Sequence, residues 1–326
     1  MDQEILLESK EVHKDYPLKR KSLFKTPEVV KAVRGVEFSI SRGETFGCVG
    51  ESGCGKSTLS RLLIMLEEPT RGEILYKGKN IHKTSKKEKF RIRERVQLVL
   101  QDPYLSLPSW KKVGELVGDP LNIHYNHDLT KNEKMQKIFG VLNEVGLDKD
   151  AYFRYPLSFS AGQRQMINIA RAIILNPEIV ILDEAVSALD VSVQANILNL
   201  FSELREKRNL TYLLIAHDIG VVKHMCDRIG VMYLGKMVEL GKNEKIFENA
   251  LHPYTLALLS AVPTIEKGLR DERVEVLKGE VPSPINIPPG CSFASRCPKV
   301  MEICRRVEPQ LIEIDKQHSV SCHLYS

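Results

Sequence analysis

The chain has 326 residues, 43% hydrophobic and 27% charged, a composition typical of a globular protein with one large or two ordinary domains. No apolar run approaches the roughly 20 residues that span a bilayer, and the N-terminus has no signal-type segment, which predicts a cytosolic chain. The net charge is only +5, and the basic run near residue 20 lacks interleaved aromatic residues, so nucleic acid is not expected as a partner.

The sequence opens with short apolar runs separated by turn residues, which predicts antiparallel strands leading into a central strand. A helical pattern runs from Ser57 to Leu66, and apolar residues at three- to four-residue spacing predict a helical subdomain over about 102–175. The continuous apolar runs EIVILDE and LTYLLIAHD predict parallel strands buried on both faces, with a crossover helix between them. A hairpin is predicted to turn at Gly235 and Lys236.

Residues 50 to 58 read GESGCGKST, the pattern G-x-x-x-x-G-K followed by Ser or Thr, between an apolar strand and a helix. In such a loop the backbone N–H groups surround a phosphate, and the helix N-terminus adds positive potential. Lys56 is expected to reach the β- and γ-phosphates of a nucleotide, and Ser57 to ligate Mg²⁺. The candidate nucleotide-binding residues are Gly50, Glu51, Ser52, Gly53, Cys54, Gly55, Lys56, Ser57 and Thr58.

The apolar segment IVILDE ends in two acids, Asp183 and Glu184. Parallel sheets bind ligands at the carboxyl ends of their strands, so both acids are expected at the nucleotide. Asp183 is predicted to hold Mg²⁺ through water, and Glu184 to accept a proton from the water that attacks the γ-phosphate.

The segment FSAGQRQ, at residues 159 to 165, precedes IVILDE at the interval used by the ATPases of ABC transporters, a family that this sequence closely resembles. The resemblance implies an α/β P-loop NTPase with a RecA-like core, an antiparallel β subdomain and a helical subdomain. It also implies a head-to-tail dimer, in which the signature motif of one subunit contacts ATP held by the other. The residues with this role are Ser160, Gly162 and Gln163.

Other positions match the family in the same order along the chain. Gln101 resembles the Q-loop glutamine, expected at Mg²⁺ and in catalysis, and Asp190 in SALD resembles a D-loop residue at the nucleotide. His217 resembles the catalytic switch histidine. Tyr16 resembles the aromatic residue that stacks on adenine, although an edge-strand aromatic is an equal alternative.

The signature segment departs from the family pattern at Ala161, where a glycine is usual. The added methyl restricts φ, and it leaves open whether the ATP site completed by this signature turns over fully. A second departure, Ala185 in place of a common proline, matters less.

The last part of the chain is rich in proline and cysteine, and a boundary near residue 258 is predicted to separate an ATPase domain, 1–258, from a C-terminal domain, 259–326. Units below roughly 70 residues rarely hold together without a staple. Cytosolic glutathione disfavours disulfides, which leaves thiolates on iron or zinc. The candidate ligands are Cys291, Cys297, Cys304 and Cys322, with His318 and His323 as alternative zinc ligands.

The segments HPYT, PSP, GC-x-F-x-x-RCP and the final CH resemble the oligopeptide, dipeptide and nickel importer branch of the family. In that branch four cysteines hold a 4Fe-4S cluster, so the resemblance favours iron and sulfide over zinc. The chain length and FSAGQRQ resemble the second of the two ATPase subunits in such importers.

The resemblance implies a peripheral ATPase on the cytoplasmic face of the cell membrane that uses ATP and Mg²⁺ to drive solute import. Its implied partners are a second ABC ATPase, identical or different, two transmembrane permeases and an extracytoplasmic solute-binding protein. The segment DPYLSLPSW is a candidate docking site for the permeases, with a plain solvent loop as the alternative. Peptides are the favoured solute. The alternatives are an importer of nickel or another small solute, a soluble ABC ATPase without a transport role, and a redox-sensing subunit.

Overall fold

The structure is a computed structural model that describes residues 4–18, 28–125, 128–260, 279 and 281–326. The strands in these ranges are β1 (Ile5–Pro17), β2 (Val29–Ser41), β3 (Thr45–Val49), β4 (Arg71–Tyr76), β5 (Lys79–Asn80), β6 (Val96–Val99), β7 (Ile179–Asp183), β8 (Thr211–Ala216), β9 (Arg228–Tyr233), β10 (Lys236–Lys242), β11 (Ile312–Asp315) and β12 (His318–Val320). The helices are α1 (Lys56–Leu63), α2 (Lys86–Arg95), α3 (Pro103–Ser106), α4 (Val113–His124), α5 (Lys131–Glu144), α6 (Ala161–Ile173), α7 (Val191–Arg208), α8 (Ile219–Met225), α9 (Asn243–Glu248) and α10 (Pro253–Ser260). Short 3-10 helices cover Lys149–Phe153, Pro156–Ser158 and Ile303–Arg305.

The described residues fall into two compact units. The first, here called the signature unit, lies within Met1–Glu4, Ser41–Glu44 and Lys83–Ile215. The second, here called the loop unit, lies within Ile5–Ile40, Thr45–His82 and Ala216–Ser326. Each unit has its own set of expected site residues, and the two are described separately.

The signature unit contains the parallel strands β6, β7 and β8, which pair in that order. Every residue of β7 and of β8 is buried, which confirms that these apolar runs form strands covered on both faces. Helix α7 follows β7 as the predicted crossover. It begins after Asp190, whose carboxylate accepts the N–H of Val193 at 3.0 Å, and it ends at Arg208, before Asn209, which adopts a left-handed conformation.

The segment predicted as a helical subdomain contains α3, α4, α5 and α6, of which the last three pack together, and its standing as a subdomain stays a prediction. Helix α6 begins at Ala161 because Ser160 and Gln163 form a capping box. The hydroxyl of Ser160 accepts the N–H of Gln163 at 3.3 Å, and the side-chain oxygen of Gln163 accepts the N–H of Ser160 at 3.0 Å. The apolar face of α6, which includes Ile167 and Ile173, is buried.

The loop unit contains the antiparallel sheet β2-β1-β4-β5, as the opening of the sequence predicts. It also contains β3, which pairs in parallel with β9, and β9 pairs in antiparallel with β10. The turn between β9 and β10 lies at Leu234 and Gly235, one residue earlier than predicted. Both residues have positive φ, 43° and 83°, which is the requirement of the tight turn that joins two twisted strands.

The described residues of the cysteine tail, 279 and 281–326, belong to the loop unit and do not form a compact unit of their own. Strand β12 pairs with β10, with Val320 opposite Glu239. Phe293 is 1% exposed and packs against Tyr233 and Tyr254. Packing against the rest of the unit therefore supplies part of the stability for which the size argument required a staple. The domain boundary near residue 258 stays a prediction.

Among the residues that the structure describes, no helix has both the length and the apolar character needed to cross a membrane.

Candidate functional site

The phosphate loop follows the fully buried strand β3 and leads into α1, the order that the sequence predicts. Gly55 stands at the helix start with φ of 109°, and a Cβ atom there would lie 2.2 Å from the carbonyl oxygen of Ala32. Only glycine satisfies both conditions. The N-cap residue of α1 is Gly55, which has no side chain to cap the helix, and the N-terminus of a helix adds positive potential that favours a phosphate.

Lys56 is only 3% exposed, and its ammonium is held over the loop. Its Nζ donates to the carbonyl oxygen of Gly50 at 2.6 Å and to that of Glu51 at 3.1 Å. Cys54 lies beside it, with 3.7 Å between Nζ and Sγ. Burial raises the pKa of the Cys54 thiol, which therefore stays protonated and neutral at pH 7. Cys54 therefore adds no negative charge near a bound phosphate, and Lys56 supplies the positive side-chain charge of residues 50–58.

Tyr16 is half-buried next to α1 in the loop unit. Its hydroxyl donates to the carboxylate of Glu67, and Lys14 Nζ lies 5.0 Å from the centre of its ring. Burial raises the pKa of Tyr16, Glu67 adds to the rise, and a hydrogen bond with Thr58 opposes it. The aromatic residue expected at adenine is thereby brought to the last residue of the phosphate loop.

In the signature unit, Glu184, which directly follows β7, contacts Gln101, which lies 83 positions earlier in the chain. Gln101 Nε2 donates to Glu184 Oε2 at 2.9 Å and lies 3.4 Å from Ser187 Oγ. Glu184 has a φ of 50°, and its N–H donates to the carbonyl oxygen of Ile215 at 2.9 Å. Asp183, the last residue of β7, is 9% exposed. Because β6 and β7 are parallel neighbours, Gln101 and the two acids lie at the same edge of the sheet.

The signature helix α6 is tied to this strand end by Gln165, which sequence reasoning did not single out. Gln165 is fully buried, and its Nε2 donates to the carbonyl oxygen of Ala185 at 2.7 Å. The carbonyl lies directly after Glu184 in the chain. A polar residue on the buried face of an otherwise apolar helix pattern is the signal that marks such a position.

The remaining expected residues lie at helix starts. Ser160 and Gln163 form the capping box of α6, and Gly162 follows in its first turn. Asp190 caps α7, and the adjacent hydroxyl of Ser192 holds its carboxylate at 2.8 Å. These two interactions lower the pKa of Asp190, which is therefore ionised. His217 is exposed between β8 and α8 in the loop unit.

The four cysteines of the tail lie close enough together to influence one another. Burial, together with the neighbouring Cys304, Cys322 and Cys297, raises the pKa of Cys291 to about 11. Within the described ranges, however, no group of three or more His, Cys, Asp or Glu side chains has an arrangement that holds a metal. Each of the four is a free thiol and not half of a disulfide.

The two histidines named as alternative zinc ligands have other contacts. His318 is 3% exposed, and its Nε2 lies 2.8 Å from Glu239 Oε1. His323 Nε2 lies 2.9 Å from the carbonyl oxygen of Val307. Glu239 is fully buried, so the ring of His318 lies against a carboxylate removed from water. The role of either histidine as an alternative zinc ligand stays a prediction.

Two family models match the chain: ABC transporter over residues 33–187, and oligopeptide/dipeptide transporter C-terminal region over residues 238–304. The oligopeptide transport ATP-binding protein AppF of Bacillus subtilis is 50% identical over 329 residues, covering 100% of this chain and 99% of AppF. The dipeptide transport ATP-binding protein DppF of Haemophilus influenzae is 48% identical and covers 97% of this chain and 96% of DppF.

Solved structures share the fold as well. The ATP-binding cassette MJ0796, in a dimeric post-hydrolysis state with ADP and Pi, is 27% identical with a TM-score of 0.65, covering 73% of this chain and 99% of MJ0796. The fold and the motifs define an α/β P-loop ATPase of the ABC type. This chain belongs to the family of ABC transporter ATP-binding subunits. It is therefore an ATPase that uses ATP and Mg²⁺.

Proposed function

We propose that this chain hydrolyses ATP to drive peptide import, with Glu184 as the general base. The observation that carries the catalytic part is the contact of the Glu184 carboxylate with Gln101 at the carboxyl edge of the sheet. A carboxylate fixed by an amide donor at this edge is oriented to accept a proton from an attacking water. Peptides are favoured as the solute because relatives along nearly the whole chain are named oligopeptide and dipeptide transport proteins.

The other expected residues divide the work of binding. The N–H groups of Gly50–Thr58 and the Lys56 ammonium hold the phosphates, and Tyr16 stacks on adenine. Ser57, Gln101 and Asp183 would hold Mg²⁺, which would supply positive charge to the phosphates. His217 senses the γ-phosphate. Each of these side chains acts by orientation and charge, since phosphoryl transfer needs little covalent chemistry from the protein.

The experiment that tests the catalytic assignment is Glu184→Gln, which keeps the size of the side chain and removes the base. ATP turnover should fall by about 10² to 10⁴ while nucleotide binding persists. The matched control is Glu203→Gln, which alters an exposed glutamate of the same unit that pairs with Lys207. Equal turnover in Glu184→Gln and the parent protein would place the base elsewhere.

We further propose a head-to-tail dimer in which Ser160, Gly162, Gln163 and Asp190 contact ATP of the opposite subunit. The dimeric state of MJ0796 with ADP and Pi supports this arrangement for a chain of the same fold. A trapped Glu184→Gln protein with ATP should elute from a sizing column at twice the mass of the chain if identical subunits pair. A dimer that forms only with a second ATPase would identify a heterodimer.

Exposed apolar residues after Gln101 support docking of membrane partners at DPYLSLPSW, on the cytoplasmic face of the membrane. Tyr104, Leu105 and Trp110 are 57%, 86% and 77% exposed. Large apolar side chains this exposed favour a protein partner, for which the two permeases are the candidates. Reconstitution with the permeases and the solute-binding protein tests the solute. Peptide should stimulate ATP hydrolysis, and stimulation by nickel alone would favour the alternative.

For the tail we propose a 4Fe-4S cluster on Cys291, Cys297, Cys304 and Cys322. The four cysteines lie close together, so the negative charge of one thiolate disfavours the next, and bound iron would stabilise all four thiolates. Zinc is the alternative metal. Anaerobically purified protein should be brown, with about four irons per chain, and Cys304→Ser should bleach it. Zinc in place of iron would favour the zinc site. Absence of both metals with four titratable thiols would refute any metal here.

A further inference from the structure

Glu51, the second residue of the phosphate loop, is held from three directions by residues of its own unit. Its carboxylate forms a two-pronged ion pair with Arg296, with 2.7 Å from Nη1 to Oε2 and 3.0 Å from Nη2 to Oε1. Its N–H donates to the hydroxyl of Tyr254 at 2.8 Å. Its carbonyl oxygen accepts from Lys56 Nζ. A single loop residue thus links the phosphate-binding lysine to two segments outside the loop.

Arg296 comes from the cysteine tail and is itself rigidly placed. Its side chain is 5% exposed, against 27% for that of Glu51. The guanidinium lies 5.9 Å from the ring centres of both Tyr233 and Phe293, and its Nη1 is 3.4 Å from the Tyr233 hydroxyl. The N–H of Arg296 donates to the carbonyl oxygen of Phe293 at 3.0 Å, which orients the backbone. A buried planar guanidinium in this setting fixes the position of the carboxylate it binds.

The geometry points to a role for this pair in ATP binding. We propose that Arg296 is a positioning residue of the nucleotide site, which keeps the phosphate loop in its binding shape by holding Glu51. The inference rests on the proposed role of the loop in binding ATP. It adds that the tail, 245 residues away in sequence, sets the loop before the nucleotide arrives.

The expected consequence is a selective loss of affinity. Without Arg296 the Glu51 peptide is held by fewer partners, so the loop samples other shapes and must be ordered by the incoming phosphates. Because ordering the loop costs free energy, ATP should bind less tightly, and both Kd and KM for ATP should rise. Once ATP is bound, its phosphates fix the loop, so kcat should change less than KM.

The test measures ATP binding and steady-state hydrolysis for Arg296→Gln, Arg296→Lys, Glu51→Gln and the double variant Arg296→Gln with Glu51→Gln, all in the full chain. Arg296→Gln should weaken ATP binding by about tenfold or more, because a charge-assisted pair is lost. Arg296→Lys should restore part of it. The double variant should bind no worse than the weaker single variant, since both changes break the same contact.

The matched control is Arg306→Gln, which removes another tail arginine whose partner, Glu302, is bound at 2.7 Å on the surface. It should leave ATP affinity unchanged. Affinity in Arg296→Gln and Glu51→Gln equal to that of the parent would overturn the inference, and so would an equal loss in Arg306→Gln. Should Arg296→Gln fail to fold, Arg296→Lys and Glu51→Gln still decide. Lys56→Ala distinguishes a failure of the proposed phosphate site from a failure of the proposed role of Arg296. If Lys56→Ala binds ATP as well as the parent, the proposed phosphate site is wrong too. If Lys56→Ala loses affinity and the Arg296 variants do not, only the role of Arg296 is refuted.

Discussion

The phosphate loop and the cysteine tail lie in the same compact unit, but they are held in different ways. The loop has a local hydrogen bond from Lys56 to the carbonyl oxygen of Gly50, six residues earlier, and distant residues hold it at one position, Glu51. The tail is held by distant partners, such as Phe293 on Tyr233 and β12 on β10. A change in the loop should therefore alter nucleotide binding with little loss of stability. A change at Phe293, which packs the tail against the rest of the unit, should mainly lower the stability of the protein.

The largest effect, on stability, is expected from Phe293→Ala, which removes the aromatic ring through which the tail packs against the rest of the unit. Phe293 is 1% exposed, and its ring contacts Tyr233, Tyr254 and His252. The free energy of unfolding should fall by about 3–5 kcal/mol, through lost burial and the cavity left behind. Urea unfolding measures the fall, and Val307→Ala, at a half-exposed position of the tail, is the control. Equal stability of Phe293→Ala and the parent would mean that another contact or a metal holds the tail.

The next largest effect is expected from Lys56→Ala. Removal of the ammonium should weaken ATP binding by about 100-fold, since two phosphates lose a charge-assisted partner. The unfolding midpoint without nucleotide should change much less than in Phe293→Ala. Calorimetric titration with ATP measures the affinity, and Lys245→Ala, which breaks an exposed pair with Asp315, is the control. A large loss of stability with unchanged affinity would reverse the comparison between loop and tail.

Local patterns in the sequence predicted the loop and the strands well, because the interactions that form them are close in the chain. The loop, α1, β7, β8 and the crossover helix α7 all follow from short segments with a fixed period or composition. The hairpin turn was predicted one residue late, since the sequence does not reveal which residue pair adopts positive φ. That Gln101 and Glu184 belong to the same site was implied only by the resemblance to the family, because 83 residues separate them in the sequence.

The contacts of the tail could not be predicted, because they join residues that no local pattern relates. Glu51 meets Arg296, and Glu239 meets His318, across 245 and 79 residues. Composition suggested a small unit that needs a staple, whereas the described tail packs on the sheet edge and the aromatic rings of the loop unit. A tail of this size would need a staple only as an isolated chain, and the sequence does not reveal that it packs on distant residues.

A smaller effect on stability should appear when the pH is lowered, because of His252, whose ring contacts Phe293 of the tail. Burial lowers the pKa of His252 from 6.5 to about 4, against the opposing charge of Glu239. The unfolded chain therefore binds one more proton than the folded chain between these values, so stability falls as the pH drops below 6.5 and the loss is complete near 4. The loss at pH 5 relative to pH 8 should be about 2 kcal/mol.

The variant that isolates this effect is His252→Asn, whose side-chain oxygen can still accept the N–H of Tyr254, now bonded to Nδ1 at 3.0 Å. Its unfolding free energy should fall less steeply with acid than that of the parent, by the slope of one proton. Parallel slopes for His252→Asn and the parent would show that His252 titrates normally.

The smallest effect is expected at Ala161, where the signature departs from the usual glycine. Ala161 is the first residue of α6, a right-handed helical position that an alanine adopts without strain. Ala161→Gly should therefore lower the free energy of unfolding by at most about 1 kcal/mol and change ATP turnover by less than about twofold. Gly162→Ala is the contrasting variant, because its Cβ would lie 2.4 Å from Cγ1 of Val193 and must displace it. Turnover that rises several-fold in Ala161→Gly would mean that the methyl group crowds the facing phosphate, and that the departure tunes the ATP site of the partner subunit.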